Sequence, residues 1–241
     1  MLQGQFTLPI QIDLAATFLF GVTGGLAALK RGYDVIGLFA LAFVTGVGGG
    51  LLRDGLFIQQ GPPAVTTDSR YILVILLAGC VAFLFRGRVV GLNTMMGWFD
   101  TLGAGHFVRA RLGRFNKAVA WLDALGLGAY AVVGVQKSLY AGLSVAAAIL
   151  VGVINAAGGG LLRDVLVREE PLLFKPGQYY VLAAVAGSLL FPLLALEFTM
   201  EATTAALITI GFTFVFRVLA IHFNWTSSSL GPGASTPPPS T

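Results

Sequence analysis

The sequence has very little charge. Aspartate, glutamate, lysine and arginine make up 11% of the 241 residues, whereas an average soluble domain has about 25%. This shortage excludes an ordinary soluble globular protein. There is one cysteine, Cys80, and there are two histidines, His106 and His222. A single cysteine cannot form an intrachain disulfide, and these three side chains provide no set of metal ligands at a familiar spacing.

Familiar catalytic patterns are also missing. No serine lies in a nucleophile-elbow pattern. The glycine-rich segment 46–50 is not followed by the Lys-Ser/Thr of a phosphate-binding loop. We therefore expect no enzyme activity, no catalytic residue, no metal and no cofactor. The net charge of +4 comes largely from one basic connector, which fits a membrane surface better than nucleic acid.

Apolar residues and glycine are abundant. Hydrophobic residues make up 56% of the chain and glycine 32 of its 241 residues, a composition typical of packed transmembrane helices. A bilayer needs about 20 apolar residues per spanning helix. Seven stretches approach this length, which predicts an all-α integral membrane protein with seven helices at 10–29, 35–58, 71–85, 122–141, 144–166, 179–196 and 202–223.

Basic residues predict how the chain crosses the membrane. The connector between the third and fourth spans is rich in arginine and lysine, and such loops stay on the cytoplasmic side. We therefore predict that the amino terminus lies outside and the carboxyl terminus in the cytoplasm. Within the connector, the apolar segment 89–99 is too short to span and is expected to lie at the interface.

The chain contains an internal duplication. With an offset of 110 residues, 14 of the 44 positions 13–56 are identical, including Gly-Gly-Gly-Leu-Leu-Arg-Asp at 48–54 and 158–164. We predict one transmembrane domain, 1–225, with a first repeat at 10–86, a connector at 87–117, a second repeat at 118–198 and a seventh helix at 202–223. The tail 226–241 is predicted to be disordered. Because each repeat has three spans, the two repeats should be inverted relative to each other.

The glycine triplets have two possible roles. Inverted-repeat transporters have interrupted helices at the midplane, and three consecutive glycines weaken a helix by about 1 kcal/mol each relative to alanine. This favours bent or unwound helices that line a pore. Alternatively, the small residues only allow helices to pack closely. The triplets are Gly48, Gly49 and Gly50 in the second span and Gly158, Gly159 and Gly160 in the fifth.

Charged residues follow both triplets. Arg53 and Arg163 lie within spans, where an unpaired charge costs about 2.5 to 3.5 kcal/mol. Neighbouring helical residues point about 100° apart, so Asp54 and Asp164 are poor partners for the arginines that precede them. We instead predict pairs between Asp13 and Arg53 and between Asp123 and Arg163. These pairs have two possible roles. They could have the structural role alone of holding helices together, or they could take part in conduction or gating.

Three further polar residues are candidates for the pathway. Lys137 replaces Ala27 of the first repeat and could either extend toward the interface or act as a positive barrier in a pore. Thr45 and Asn155 lie at equivalent positions before the triplets. Their side chains could contact a permeating ion, or they could hydrogen-bond between helices.

The duplicated Gly-Gly-Gly-Leu-Leu-Arg-Asp segments, with Asp13 and Gly24 in the first repeat and Asp123 and Gly134 in the second, resemble the prokaryotic trimeric intracellular cation (TRIC) channel family. The broader family also includes bacterial members described as glycine transporters. The resemblance covers roughly residues 10–225. It implies a homotrimer in the lipid bilayer of the inner (plasma) membrane of a prokaryote, with seven helices and one cation pathway per subunit.

The resemblance favours a channel for monovalent cations, with potassium as the expected ion. Carbonyls and polar side chains near the glycine triplets would replace part of the hydration shell. A small amino-acid transporter, with glycine as substrate, is the alternative. A structural protein without transport activity is the third possibility.

Overall fold

The computed structural model describes residues 8–89, 91, 106–175 and 179–225. In the first half of the chain the helices are α1 (Ile10–Lys30), α2 (Val35–Leu52), a short α3 (Ala64–Thr67) and α4 (Ser69–Leu84). A π-helical turn, Arg53–Ile58, continues α2.

The helices of the second half are longer. They are α5 (His106–Tyr140), α6 (Val145–Leu166), α7 (Tyr180–Pro192) and α8 (Ala202–His222). A second π-helical turn, Leu193–Glu197, follows Pro192 and extends α7. Proline cannot donate its backbone nitrogen to the helical ladder, which explains the irregular turn at this point.

Within the part of the chain that the structure describes, six helical segments are long and apolar enough to cross a membrane. They coincide with six of the seven predicted spans. The predicted third span forms α4, which has 16 residues and is about 24 Å long at 1.5 Å per residue. The count of seven spanning helices therefore stays a prediction. The spanning segments are Ile10–Lys30, Val35–Ile58, Phe115–Tyr140, Val145–Leu166, Tyr180–Glu197 and Ala202–His222.

Part of the predicted connector is helical. Helix α5 begins at His106, so the last part of the predicted connector 87–117 is helical and continuous with the spanning segment. Most of the apolar segment 89–99 lies outside the described residues, as does the tail 226–241. Their predicted interfacial and disordered states stay predictions.

Local structure follows the duplication at its turns. Asp34 caps α2 by accepting a hydrogen bond from the nitrogen of Gly37, and Ser144, at the equivalent position, caps α6 by accepting from Ala147. Gly32 and Gly142, just after α1 and α5, both have positive φ, 72° and 86°. The left-handed conformation at a helix end favours glycine, so the repeated glycines explain two equivalent helix-to-helix turns.

The cap of α4 lies outside the apolar segments. Asp68 accepts a hydrogen bond from the backbone nitrogen of Arg70 and forms an ion pair with the Arg70 guanidinium at 2.7 Å. Hydrogen bonds from Arg70 hold the pKa of Asp68 below its usual value.

Helices α2 and α6 cross in direct backbone contact at the glycine triplets. A Cβ atom at Gly49 would clash with the carbonyl oxygen of Asn155, and one at Gly159 would clash with the carbonyl oxygen of Thr45. Thr45 and Gly49 follow one another along α2, but their contacts on α6, Gly159 and Asn155, come in the reverse order. The two helices are therefore antiparallel where they cross. The triplets thus allow close helix packing, as small residues do in membrane proteins.

Both helices are continuous through the triplets. Residues 48–50 are α-helical within α2, and residues 158–160 are α-helical within α6. The helices were predicted to be bent or unwound here, and they are not unwound, because backbone packing against the partner helix stabilises each helix despite the poor propensity of glycine. A bend at the triplets stays a prediction. The irregular backbone lies one turn later in the first repeat, at Arg53–Ile58.

The distribution of side chains is that of a protein in an apolar environment. The interior is filled largely by small residues around a few large ones, such as Phe20, Tyr130 and Phe191. Many large apolar side chains lie on the surface instead, among them Leu73, Leu150 and Leu207. Exposed apolar surface of this extent is typical of a lipid-facing exterior.

Candidate functional site

Two cavities lie at opposite ends of α1. The first, which we call the Asp13 cavity, has a volume of about 10 Å³, close to the smallest space that holds one water molecule. The second, the Asp123 cavity, has a volume of about 180 Å³. The lining of the first includes Asp13, Thr17, Gly50, Arg53 and Tyr130. The lining of the second includes Thr23, Lys30, Asp123, Arg163 and Arg217.

Each cavity contains an arginine bonded to the aspartate that follows it. Arg53 Nε lies 2.6 Å from Asp54 Oδ1, and Arg163 Nε lies 2.9 Å from Asp164 Oδ1. The expectation that adjacent residues would not pair is therefore wrong. An arginine side chain is long enough to turn its planar fork along the helix surface toward the neighbouring carboxylate.

Both aspartates also hold the chain that follows their helix. Asp54 Oδ2 accepts a hydrogen bond from the backbone nitrogen of Ala64, and Asp164 Oδ2 accepts one from that of Leu172, both at 3.1 Å. The duplicated Arg-Asp pair thus fixes the segment leading to α4 in one repeat and the segment leading to α7 in the other.

In the second repeat, the predicted ion pair forms. Arg163 Nη1 lies 2.9 Å from Asp123 Oδ1 and 3.2 Å from the hydroxyl of Thr23 on α1. Asp123, Asp164 and Arg163 are all buried. One guanidinium therefore satisfies two carboxylates, and α6 is joined to α5 and α1.

In the first repeat, the prediction is wrong. Asp13 Oδ2 lies 2.7 Å from Lys137 Nζ and accepts a hydrogen bond from the Tyr71 hydroxyl at 2.6 Å. Arg53 instead bonds to Asp54 and, at 3.4 Å, to the amide oxygen of Asn155. Lys137 has no counterpart in the first repeat. A prediction based on the duplication therefore could not include the ion pair between Lys137 and Asp13.

Lys137 therefore combines features of its two predicted placements, one toward the membrane interface and one inside a pore. Its side chain is 31% exposed, but its ammonium group is bound to the buried carboxylate of Asp13. Because Asp13 is on α1 and Lys137 on α5, the pair links the two repeats. Ala27, the equivalent of Lys137, lines the Asp123 cavity.

The Asp123 cavity carries charges of both signs. Lys30, Arg163, Lys175 and Arg217 are basic, and four acidic residues, Asp123, Asp164, Glu169 and Glu170, also line it. Arg217 is 1% exposed and lies over the ring of Tyr180, with its guanidinium carbon 5.0 Å from the ring centroid. Arg217 was not among the predicted site residues, although a basic residue within the last apolar span was an available sign.

Aromatic and polar residues fill the space between the cavities. The ring of Tyr130 stacks on that of Phe20, with centroids 5.3 Å apart and planes 13° apart. Asn155 donates a hydrogen bond to the carbonyl oxygen of Tyr130 at 2.6 Å. This bond joins α6 to α5, which is one of the two roles predicted for Asn155. Thr45, its equivalent, is fully buried at the crossing. Contact of either side chain with an ion stays a prediction.

Sequence reasoning missed Tyr130. It is equivalent to Phe20 under the same offset of 110 residues that reveals the duplication. The available sign was an aromatic residue conserved between the two repeats near the middle of two spans. Apolar helices contain many aromatic residues, so this sign alone could not single out the pair.

Comparisons with known proteins agree with this architecture. The profile of the family described as "Glycine transporter" matches residues 10–87 and 120–196, the two repeats. The chain is 31% identical over 218 residues to a UPF0126 membrane protein of Vibrio cholerae, covering 88% of this chain and 79% of that protein. It is 30% identical over 189 residues to one of Deinococcus radiodurans, covering 78% and 77%.

Solved structures share the fold. The TRIC channel orthologue from Rhodobacter sphaeroides is 29% identical, with a TM-score of 0.73, over 89% of this chain and 97% of that one. A TRIC cation channel solved to explain the structural basis for conductance is 25% identical, with a TM-score of 0.73. The match covers 95% of this chain and 100% of that one. The chain therefore belongs to the "Glycine transporter" family of membrane proteins, together with the UPF0126 proteins, and has the fold of the prokaryotic TRIC cation channels.

Proposed function

We propose that the protein is a channel for monovalent cations, with potassium as its principal ion, and that each subunit of a homotrimer contains one pathway. The observation that carries the proposal is the pair of charged cavities at opposite ends of α1, on either side of the α2–α6 crossing. The fold shared with TRIC cation channels supports the same function.

The pathway would connect the two cavities past the crossing. At its middle, the Gly46 carbonyl, the Thr17 hydroxyl and the Asn155 amide provide polar atoms within an otherwise apolar core. Such weak ligands replace hydration without trapping an ion. The duplicated arginine–aspartate pairs would hold the cavity walls, and the glycine triplets would keep the helices close enough to form a narrow passage.

The antiparallel contact between equivalent helices supports the proposal that the two repeats are inverted. A pseudo-two-fold axis in the membrane plane would relate the Asp13 and Asp123 cavities, placing one near each surface. The predicted orientation would place the Asp13 cavity outside and the Asp123 cavity toward the cytoplasm.

Glycine transport is the second candidate. A large cavity at one end and a small one at the other are compatible with a transporter that opens to one side at a time. The mixed charges around the Asp123 cavity could hold the carboxylate and ammonium groups of an amino acid. Its volume of about 180 Å³ leaves room for a molecule of that size.

The test is recording from purified protein in planar bilayers, with glycine uptake measured in liposomes from the same preparation. A channel gives unitary currents of many ions per opening, with a reversal potential that follows the potassium gradient. Saturable glycine uptake without unitary currents would establish the transporter and overturn the channel. Thermal stability with and without glycine gives an independent measurement, since a bound substrate stabilises the folded protein.

A further inference from the structure

The two cavities are separated by a short barrier. Thr17 lines the Asp13 cavity and Thr23 the Asp123 cavity, and six residues of α-helix span about 9 Å. Between them lies Phe20, which is fully buried and stacked on Tyr130. On α5, Leu127 lies between Asp123 and Tyr130 and is also fully buried.

Hydroxyl groups hold the aromatic pair in this position. The Tyr130 hydroxyl lies 2.8 Å from the Thr17 hydroxyl and also donates a hydrogen bond to the carbonyl oxygen of Gly46. Thr17 contacts the carbonyl oxygen of Asp13 as well, at 2.9 Å. The cluster joins α1, α2 and α5, so it connects helices of both repeats at one point.

The two members of the pair are equivalent in sequence but differ in chemistry. Phe20 packs fully buried in the core without a hydroxyl group. An aromatic ring is therefore sufficient for packing at this position of the repeat. The hydroxyl of Tyr130 adds bonds to α1 and α2 on the side of the Asp13 cavity. This is also the side of the smaller cavity.

We propose that the Phe20–Tyr130 pair is the closed constriction of the pathway and that the Tyr130 hydroxyl is its latch. Opening requires the Tyr130 ring to leave Thr17 and the Gly46 carbonyl, which joins the Asp13 cavity to the space beyond Phe20. This inference rests on the proposed function as a cation pathway. It assigns the gate to a residue that carries no charge and is distinct from Lys137.

Tyr130→Phe tests the latch because it keeps the ring and its stacking but removes the hydroxyl. We expect potassium efflux from liposomes to rise by about tenfold, as loss of the hydrogen bonds favours the open state. Thr17→Val removes one of the two oxygens that the Tyr130 hydroxyl contacts, and we expect an increase of about threefold.

Thr213→Val is the matched control. Thr213 is fully buried, and its hydroxyl bonds to the carbonyl oxygen of Thr209 four residues earlier, at 2.8 Å. Thr17 makes the same local bond but also contacts Tyr130. Thr213→Val should therefore leave the efflux within twofold of wild type.

A second readout separates the latch from the transport activity. In a Cys80→Ser background, Gly50→Cys places a thiol in the Asp13 cavity, where an added Cβ meets only Arg53 Nη2, at 3.7 Å. We expect Tyr130→Phe to increase the rate at which a small cationic methanethiosulfonate modifies this thiol by about tenfold.

The outcomes are distinct. An increased modification rate without any cation efflux from the wild type would overturn the proposed function and leave the constriction standing. Unchanged modification and unchanged efflux in Tyr130→Phe and Thr17→Val, with both variants folded, would overturn the latch.

Discussion

The Asp13 and Asp123 cavities are built from the same duplicated residues, yet their volumes are about 10 and 180 Å³. In each, an arginine bonds to the following aspartate, which in turn holds the next segment of chain. The surroundings of the two cavities also differ where the repeats diverge. Lys137 binds Asp13, whereas its equivalent, Ala27, lines the larger cavity.

The two halves share one part of this architecture and differ in another. Each arginine bonds to the aspartate that follows it. Asp123 binds the arginine of its own repeat, whereas Asp13 binds Lys137 of the other repeat. A protein made from two copies of one unit can thus have a large cavity at one end and a small one at the other.

The largest effect is expected at Arg163. Arg163→Gln leaves the buried carboxylates of Asp123 and Asp164 without their shared partner, which should lower the free energy of unfolding by about 3 to 5 kcal/mol. Arg53→Gln should cost less, because Asp54 is 15% exposed and keeps its bond to Ala64. Unfolding in detergent micelles measures both variants, and equal losses would contradict the difference between the two networks.

Gly49→Ala is expected to have the next largest effect. The added methyl group would clash with the Asn155 carbonyl oxygen, and overpacking of this kind costs about 1 to 3 kcal/mol. Cation flux should be lost because the crossing is forced apart.

Gly211→Ala is the control for this change. Gly211 lies within α8 with open space around an added Cβ, so the substitution should only improve helix propensity, by about 1 kcal/mol. If Gly49→Ala and Gly211→Ala behave alike in unfolding and in potassium flux, close packing at the crossing has no functional role.

A smaller effect on stability is expected at Lys137. Lys137→Gln removes the ion pair with Asp13 but leaves the Tyr71 hydroxyl bonded to that carboxylate. The side chain is partly exposed, so we expect a loss of about 1 kcal/mol. Cation flux should rise, because a positive charge near the narrow cavity repels cations. Unchanged flux in liposomes of matched protein density would limit Lys137 to joining the repeats.

The smallest effect is expected at Arg31, which forms an exposed ion pair with Glu169 at 2.7 Å. Surface pairs contribute about 0 to 1 kcal/mol, so Arg31→Gln should shift the free energy of unfolding by less than about 1 kcal/mol. A larger loss would show that charges outside the two cavities also support the fold.

Much of the fold could be predicted from the sequence because apolar length and the duplication are strong patterns. Six spans and the Asp123–Arg163 pair follow from them. The Asp13–Lys137 pair could not, because it joins repeats at a position where the duplication fails. Continuous helices at the glycine triplets were also missed, since propensity ignores the partner helix that stabilises them.

The most direct test of the central claim, that the two cavities are opposite ends of one cation pathway, is cysteine modification during bilayer recording. In a Cys80→Ser background, Ala27→Cys labels the Asp123 cavity and Gly50→Cys the Asp13 cavity. The account predicts that a cationic methanethiosulfonate modifies Ala27→Cys rapidly from one side and Gly50→Cys slowly from the other, and that either reaction reduces the potassium current. Reaction of both thiols from the same side, or complete modification with an unchanged current, would contradict it.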